Sequence, residues 1–267
     1  MSFIVLLVIV LLEKLTSLRA RVQNDHLWLK ALAYVEAHQC APWLALSLLV
    51  ALPVFGLALV LGLTETVLFG ALAIPLHILI LIYSLGRGDV RQQMGPSADA
   101  LRRGDEQGAL YAAERDLGLT VQPIAQTLKQ HLVWRAYEGF FAVIFWYVLL
   151  GPIPALGYRL LDLTERHASA QVQLLAQQLR HGLDWLPSRF FAFSLALVGN
   201  FSAVAEKVLP QLLSWSMSIA RYVSDAAFAA VERELTGEVR DLQTLWLLMV
   251  RAAVLWYAVF ALVIMFI

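Results

Sequence analysis

Apolar residues recur along this chain in blocks that alternate with amphipathic, charge-bearing segments. Four blocks, residues 41–63, 67–85, 139–161 and 245–267, are apolar over nearly the whole ~20 residues that a helix needs to cross a bilayer. The first two are joined through Thr64-Glu65-Thr66, and so short a connection predicts an antiparallel helical hairpin. Pro53 and Pro75 sit mid-span and predict kinks. His77 lies near the middle of the second span, where an ionisable group is a functional candidate. The plainer reading is a neutral imidazole bonded to a carbonyl freed by Pro75. The third block is the organising one. It runs uncharged from Gly139 to Tyr158, is interrupted by Gly151-Pro152 and Pro154, and ends on Tyr158-Arg159, a ring and a cation suited to an interface. The pattern predicts one spanning helix over 139–161, with polar groups at both ends. The fourth block carries Arg251 some two turns inside, either snorkelling to water or paired with an acid.

The segments between the blocks read as helices too. Residues 2–12 are apolar but about half a span long, and Glu13-Lys14 stands where a cleavage site would need small residues. They read as an uncleaved helix, followed by a soluble-looking helical segment over 15–39. In 86–137, Asp105 predicts an N-cap for a helix at 106–117, ended by Gly118. Leu110, Ala113 and Leu117 would line one face of it. Pro123 opens a second helix to about Tyr137, with Ile124, Leu128 and Leu132 in register. Gly86-Arg-Gly-Asp89 could wrap an anion with exposed amides, although a helix stop and turn explain the glycines equally well. Residues 163–186 predict a helix with Ala170, Leu174, Leu179 and Leu183 on one side, ended by Pro187. The apolar run 189–201 is short for a span and predicts a separate re-entrant or buried helix. Residues 210–235 predict one more amphipathic helix.

Composition then fixes the class. The chain is 60% hydrophobic and 15% charged, against ~45–50% and ~25% for soluble domains, so lipid must cover much of it. Lysines and arginines equal aspartates and glutamates at 20 each, which gives no footprint for nucleic acid. Cys40 is alone, excluding an intrachain disulfide and a cysteine metal site. No second histidine stands near His131 at metal-ligand spacing. The hairpin tip lacks lysine and arginine while both its flanks carry them, so the flanks, including the 86–137 loop, are expected in the cytoplasm. The region 162–244 bears seven basic residues, and its side is left open by the charge rule. The expected fold is all-α: a polytopic membrane protein with about four full transmembrane helices, short membrane-associated helices and helical extramembrane segments.

Tyr83-Ser-Leu-Gly-Arg-Gly-Asp89, Phe145-Trp-Tyr-Val-Leu-Leu-Gly-Pro152, Gly157-Tyr-Arg159, Leu183-Asp-Trp-Leu-Pro-Ser-Arg189 and Gly199-Asn-Phe201 resemble the AmpE family in content and order. The resemblance covers essentially the whole chain, as a single membrane domain over 1–267. It implies an inner-membrane signalling modulator or sensory transducer associated with inducible β-lactamase in Gram-negative bacteria, with a cell-wall-recycling protein as a partner. It implies no known chemical activity. That family is in turn similar to adenosylcobinamide-phosphate synthase, a membrane enzyme that forms an amide bond using ATP and magnesium. Phe145-Trp146, Gly151, Tyr158-Arg159 and Pro187-Ser-Arg189 match its core. The departures fall on polar positions. Arg135 and Glu138 replace an Asn and an Asp, Asp162 and Glu165 stand for a second such pair, and Arg180-His181 replaces two consecutive acids.

Magnesium takes oxygen ligands, so an arginine in place of an acid pair removes ligands and adds repulsion. What remains is a set of charges at span ends: Arg87, Asp89, Glu138, Arg159, Asp162, Asp184 and Arg189. They are the candidate ligand-binding residues, with the lipid bilayer as one partner and an anionic small molecule or lipid as another. Interface anchoring and mutual pairing explain such charges as well. Two readings stand: a non-enzymatic signalling protein on an enzyme-derived scaffold, and an amide-forming, nucleotide-using synthase with a rebuilt site. ATP and magnesium are cofactors only under the second.

Overall fold

The computed structural model describes residues 23–65, 73–86, 90–232 and 240–266, and among them every regular element is helical. The expectations for residues 2–12, for the hairpin tip at Thr66, and for Arg87, Gly88 and Asp89 lie outside the described residues. Contacts divide the chain into two compact units, residues 1–85 with 142–184 and residues 86–141 with 185–267. Among the described residues three helices are long and apolar enough to cross a membrane: Pro42–Thr64, Ile124–Leu150 and Asp241–Leu262. Ile74–Ser84 is a shorter apolar helix.

The first unit contains α1 (His26–Ala37), α2 (Pro42–Leu46), a π-turn at Ser47–Ala51 and α3 (Leu52–Glu65). It continues with α4 (Ala73–Ser84), and its later part begins with α8 (Ala142–Leu150) and α9 (Pro152–His167). Helix α9 packs on α3, α4 and α8. The unit's core includes Trp28, Leu49, Leu57, Leu156, Leu160, Leu163, Val172 and Ala176.

The organising block does not form one helix. Gly151 adopts φ 84°, a left-handed conformation that glycine alone takes cheaply, and Pro152 starts a new helix. The crossing instead runs over Ile124–Leu150 and draws its first half from the segment read as extramembrane. Hydropathy summed over 139–161 joined the end of one helix to the start of an amphipathic one. The carbonyl that Pro75 would free, at residue 71, lies outside the described residues, and His77 has a ring partner within the unit. Its Nδ1 lies 3.2 Å from the Tyr147 hydroxyl, with the rings edge to face.

The second unit contains α5 (Val90–Arg102), α6 (Glu106–Leu117) and α7 (Ile124–Ala136), followed by a π-turn at Tyr137–Phe141. Asp105 caps α6 through the Gly108 amide at 2.8 Å, and Gly118 ends it with φ 69°, as expected. The buried face of α6 is Ala109, Ala112 and Ala113, while Leu110 and Leu117 are half-buried. Two glycines let the chain approach the π-turn. A Cβ on Gly86 would lie 2.7 Å from the Gly139 Cα, and the Gly86 amide donates to the Gly139 carbonyl at 2.7 Å. That amide is therefore spent on the backbone, which removes one donor from the anion nest considered for 86–89.

Helix α10 (Ala170–Val198) is continuous through Pro187. The expected helix ending at Pro187 and the separate short helix after it are one element. Proline at 187 removes the ladder hydrogen bond to the Leu183 carbonyl yet stays inside the helix, and the Ser188 hydroxyl and the Arg189 guanidinium both donate to the nearby Trp185 carbonyl. The buried face of this helix is another row of residues. Leu174 and Leu179 are exposed, whereas Val172, Ala176, Arg180 and Asp184 are buried at four-residue spacing. Leu174 and Leu179 thus turn outward while Arg180 and Asp184 turn inward.

After α10 come α11 (Phe201–Val208), a 3-10 turn at Leu209–Gln211, α12 (Ile219–Ala230) and α13 (Arg240–Phe266). Of the single amphipathic helix expected over 210–235, the described part is α12, with an irregular segment before it, and residues 233–235 lie outside the described residues. Helices α12 and α13 pack on α7, and α11 packs on α12. Gly199 abuts Ala230 too closely for a side chain, and the Asn200 amide donates to the Ala230 carbonyl at 2.9 Å. An aromatic cluster of Tyr137, Phe141, Phe191 and Trp256 fills the unit's core.

Candidate functional site

In the first unit, α9 and the first half of α10 present charged side chains to each other. Arg159 and Asp162 fall on one face of α9 by their i,i+3 spacing, and Arg166 follows at i,i+4 from Asp162. Arg180 and Asp184 share the inward face of α10. Asp162 is the hub. Its carboxylate accepts from Arg159 Nη1 at 2.7 Å, Arg166 Nε at 2.8 Å and Arg180 Nη1 at 2.9 Å.

Arg180 extends the network. Its Nη1 donates to Glu165 Oε2 at 2.8 Å, and its Nε lies 3.5 Å from Asp184 Oδ2. The Tyr158 hydroxyl donates to Asp184 Oδ1 at 2.8 Å, with its ring under the Arg180 guanidinium at 5.4 Å. Arg159 Nη2 reaches Asp25 at 3.4 Å. Asp25, Arg159, Asp162, Arg180 and Asp184 are all at most 6% exposed. Charges so buried hold only if each meets an opposite charge and good hydrogen bonds. Three carboxylates, those of Asp162, Glu165 and Asp184, therefore converge on one guanidinium. Among the described residues no group of three or more side chains is arranged to hold a metal ion.

Arg189 is held otherwise, in the second unit. Its Nε donates to the Leu212 carbonyl at 3.0 Å, Nη2 to the Ser214 carbonyl at 2.9 Å, and Nη1 to the Trp185 carbonyl and the Ser188 hydroxyl at 3.1 and 2.9 Å. The rings of Trp185 and Tyr222 stack on it at 4.7 and 4.6 Å. Every named polar partner is neutral. Burial lowers the arginine's pKa, and it raises that of the Tyr222 hydroxyl against the opposing pull of the guanidinium.

Of the seven predicted site residues, Arg159, Asp162 and Asp184 thus meet in one network. Arg189 stands in its own cage. Glu138 accepts from Arg135 Nη1 at 2.6 Å in the π-turn of the second unit. Arg87 and Asp89 lie outside the described residues. Sequence reasoning missed the buried pair of Lys129 and Asp241 at 2.6 Å, which ties α7 to α13. Neither spacing nor composition signals a pair so far apart in the chain. It also missed Tyr158 as a donor to Asp184.

An all-helical membrane protein with an internally paired charged network on two helices is the class that these features define. The chain belongs to the AmpE family: the profile described as regulatory signalling modulator protein AmpE matches residues 1–231. Its role is therefore that of a regulatory membrane protein. No curated protein and no solved structure matches the chain.

Proposed function

We propose that this chain is a multi-pass inner-membrane signalling modulator that links cell-wall status to β-lactamase induction without catalysing a reaction. The observation that carries this reading is the convergence of Asp162, Glu165 and Asp184 on Arg180. A magnesium–nucleotide site needs such carboxylates for the metal. Here a guanidinium already engages all three, so the network supports a scaffold whose helix arrangement, rather than its chemistry, carries the signal.

The experiment is genetic. Deleting the gene in its own host should change β-lactamase induction by a subinhibitory β-lactam, and the wild-type chain supplied in trans should restore it. Unchanged induction in the deletion strain overturns the link. A parallel arm expresses the chain in a strain lacking cobinamide-phosphate synthase, growing on cobyric acid. Growth at the level of the authentic synthase would replace the regulatory reading with the enzymatic one.

A further inference from the structure

The segment between α11 and α12 is irregular, and it presents its largest apolar side chains outward. Leu213 is 80% exposed, Leu209 62% and Trp215 58%. Val208 to Ala220 contains no charged residue, and Lys207 and Arg221 bracket it. A soluble loop with this content would be an aggregation hazard. A loop entering a membrane interface faces a different demand, because its backbone polar groups need partners other than water.

Arg189 meets that demand. Its guanidinium takes the Leu212 and Ser214 carbonyls, on either side of Leu213. The Leu212 amide donates to the Leu209 carbonyl and the Ser214 amide to the Gln211 carbonyl. Trp185 meets Trp215 with ring centroids 6.5 Å apart and tilted. The segment is thus pinned from within while Leu213 projects outward.

We propose that residues 209–217 form an interfacial membrane anchor, seating Leu209, Leu213 and Trp215 at the boundary of headgroups and acyl chains. Amphipathic elements of this kind bury their apolar side ~5–10 Å deep. The occupant is lipid rather than protein on two counts. Tryptophan with leucine is the composition of interfacial contacts. The cations of Lys207 and Arg221, both on exposed residues, suit anionic headgroups. Arg221 lies 3.8 Å from Asp225, with its side chain 78% exposed.

The test uses the full chain with Cys40→Ser, reconstituted in phosphatidylethanolamine–phosphatidylglycerol vesicles and spin-labelled at a cysteine introduced by Leu213→Cys, Trp215→Cys or Glu206→Cys. Labels at 213 and 215 should collide readily with oxygen and poorly with aqueous nickel chelate, while the label at 206 meets the chelate. Chelate access at 213 equal to that at 206 overturns the anchor. Shielding of 213 from both oxygen and chelate also overturns it, since a protein surface would then cover the segment. Adding Arg189→Gln should return position 213 to the chelate; unchanged depth would remove the pinning role given to Arg189.

Discussion

Arg180 and Arg189 lie on one helix and are comparably buried, at 5% and 8% exposure, yet they are stabilised in different ways. Arg180 is surrounded by carboxylates from α9 and from its own helix, and its charge is neutralised where it sits. Arg189 meets carbonyl oxygens, a hydroxyl and two ring faces. The first arrangement is a clamp between helices, in which each charge depends on the others. The second is a cap for backbone that no helix satisfies. A buried arginine is therefore no sufficient sign of an anion site. What decides its role is whether its fork faces acids, loop carbonyls or open space.

The largest effect should come from breaking the clamp at its hub. Asp162→Ala leaves Arg159 and Arg180 short of a shared carboxylate in a buried setting. Removing one partner of a buried ion pair costs about 3–5 kcal/mol. The expected outcome is a sharply reduced midpoint of thermal unfolding in detergent, with lower abundance in the membrane. A midpoint within error of wild type would show that the network is dispensable and weaken the contrast with Arg189.

The cage should respond less. Arg189→Gln loses charge-assisted bonds to two carbonyls, at about 1.5–3 kcal/mol for a hydrogen bond to a charged group. Because the loss falls on a loop, faster amide exchange should appear at residues 209–218 while α9 stays protected. Exchange spreading into α9 would mean that the two arginines act as one structural element. The smallest change is Tyr158→Phe. It deletes one donor to Asp184, worth about 1 kcal/mol, while Arg180 still faces that carboxylate. A loss as large as that for Asp162→Ala would move the centre of the network from Asp162 to Asp184.

Much was legible in the chain without its fold. The membrane class follows from composition, the crossing at 42–64 from uninterrupted apolar length and that at 241–262 from an apolar run broken by Arg251, and the bounds of α6 from Asp105 and Gly118. These are local properties, set by side chains within a few residues of each other. The i,i+3 and i,i+4 spacings of Arg159, Asp162 and Arg166 were equally visible. Tertiary structure decided the rest. Pro187 stays inside a helix although the ladder bond to the Leu183 carbonyl is lost, and Arg189 beside it is held by carbonyls of a later segment. Whether the leucines or the charges of α10 face inward depended on α9 offering carboxylates to Arg180, since periodicity marks a face but not its neighbour. The pairing of Lys129 with Asp241 joins helices far apart in sequence. Burial makes such pairs obligatory, because an unpaired charge there is costly, but only the packing of the chain determines which partner each one finds.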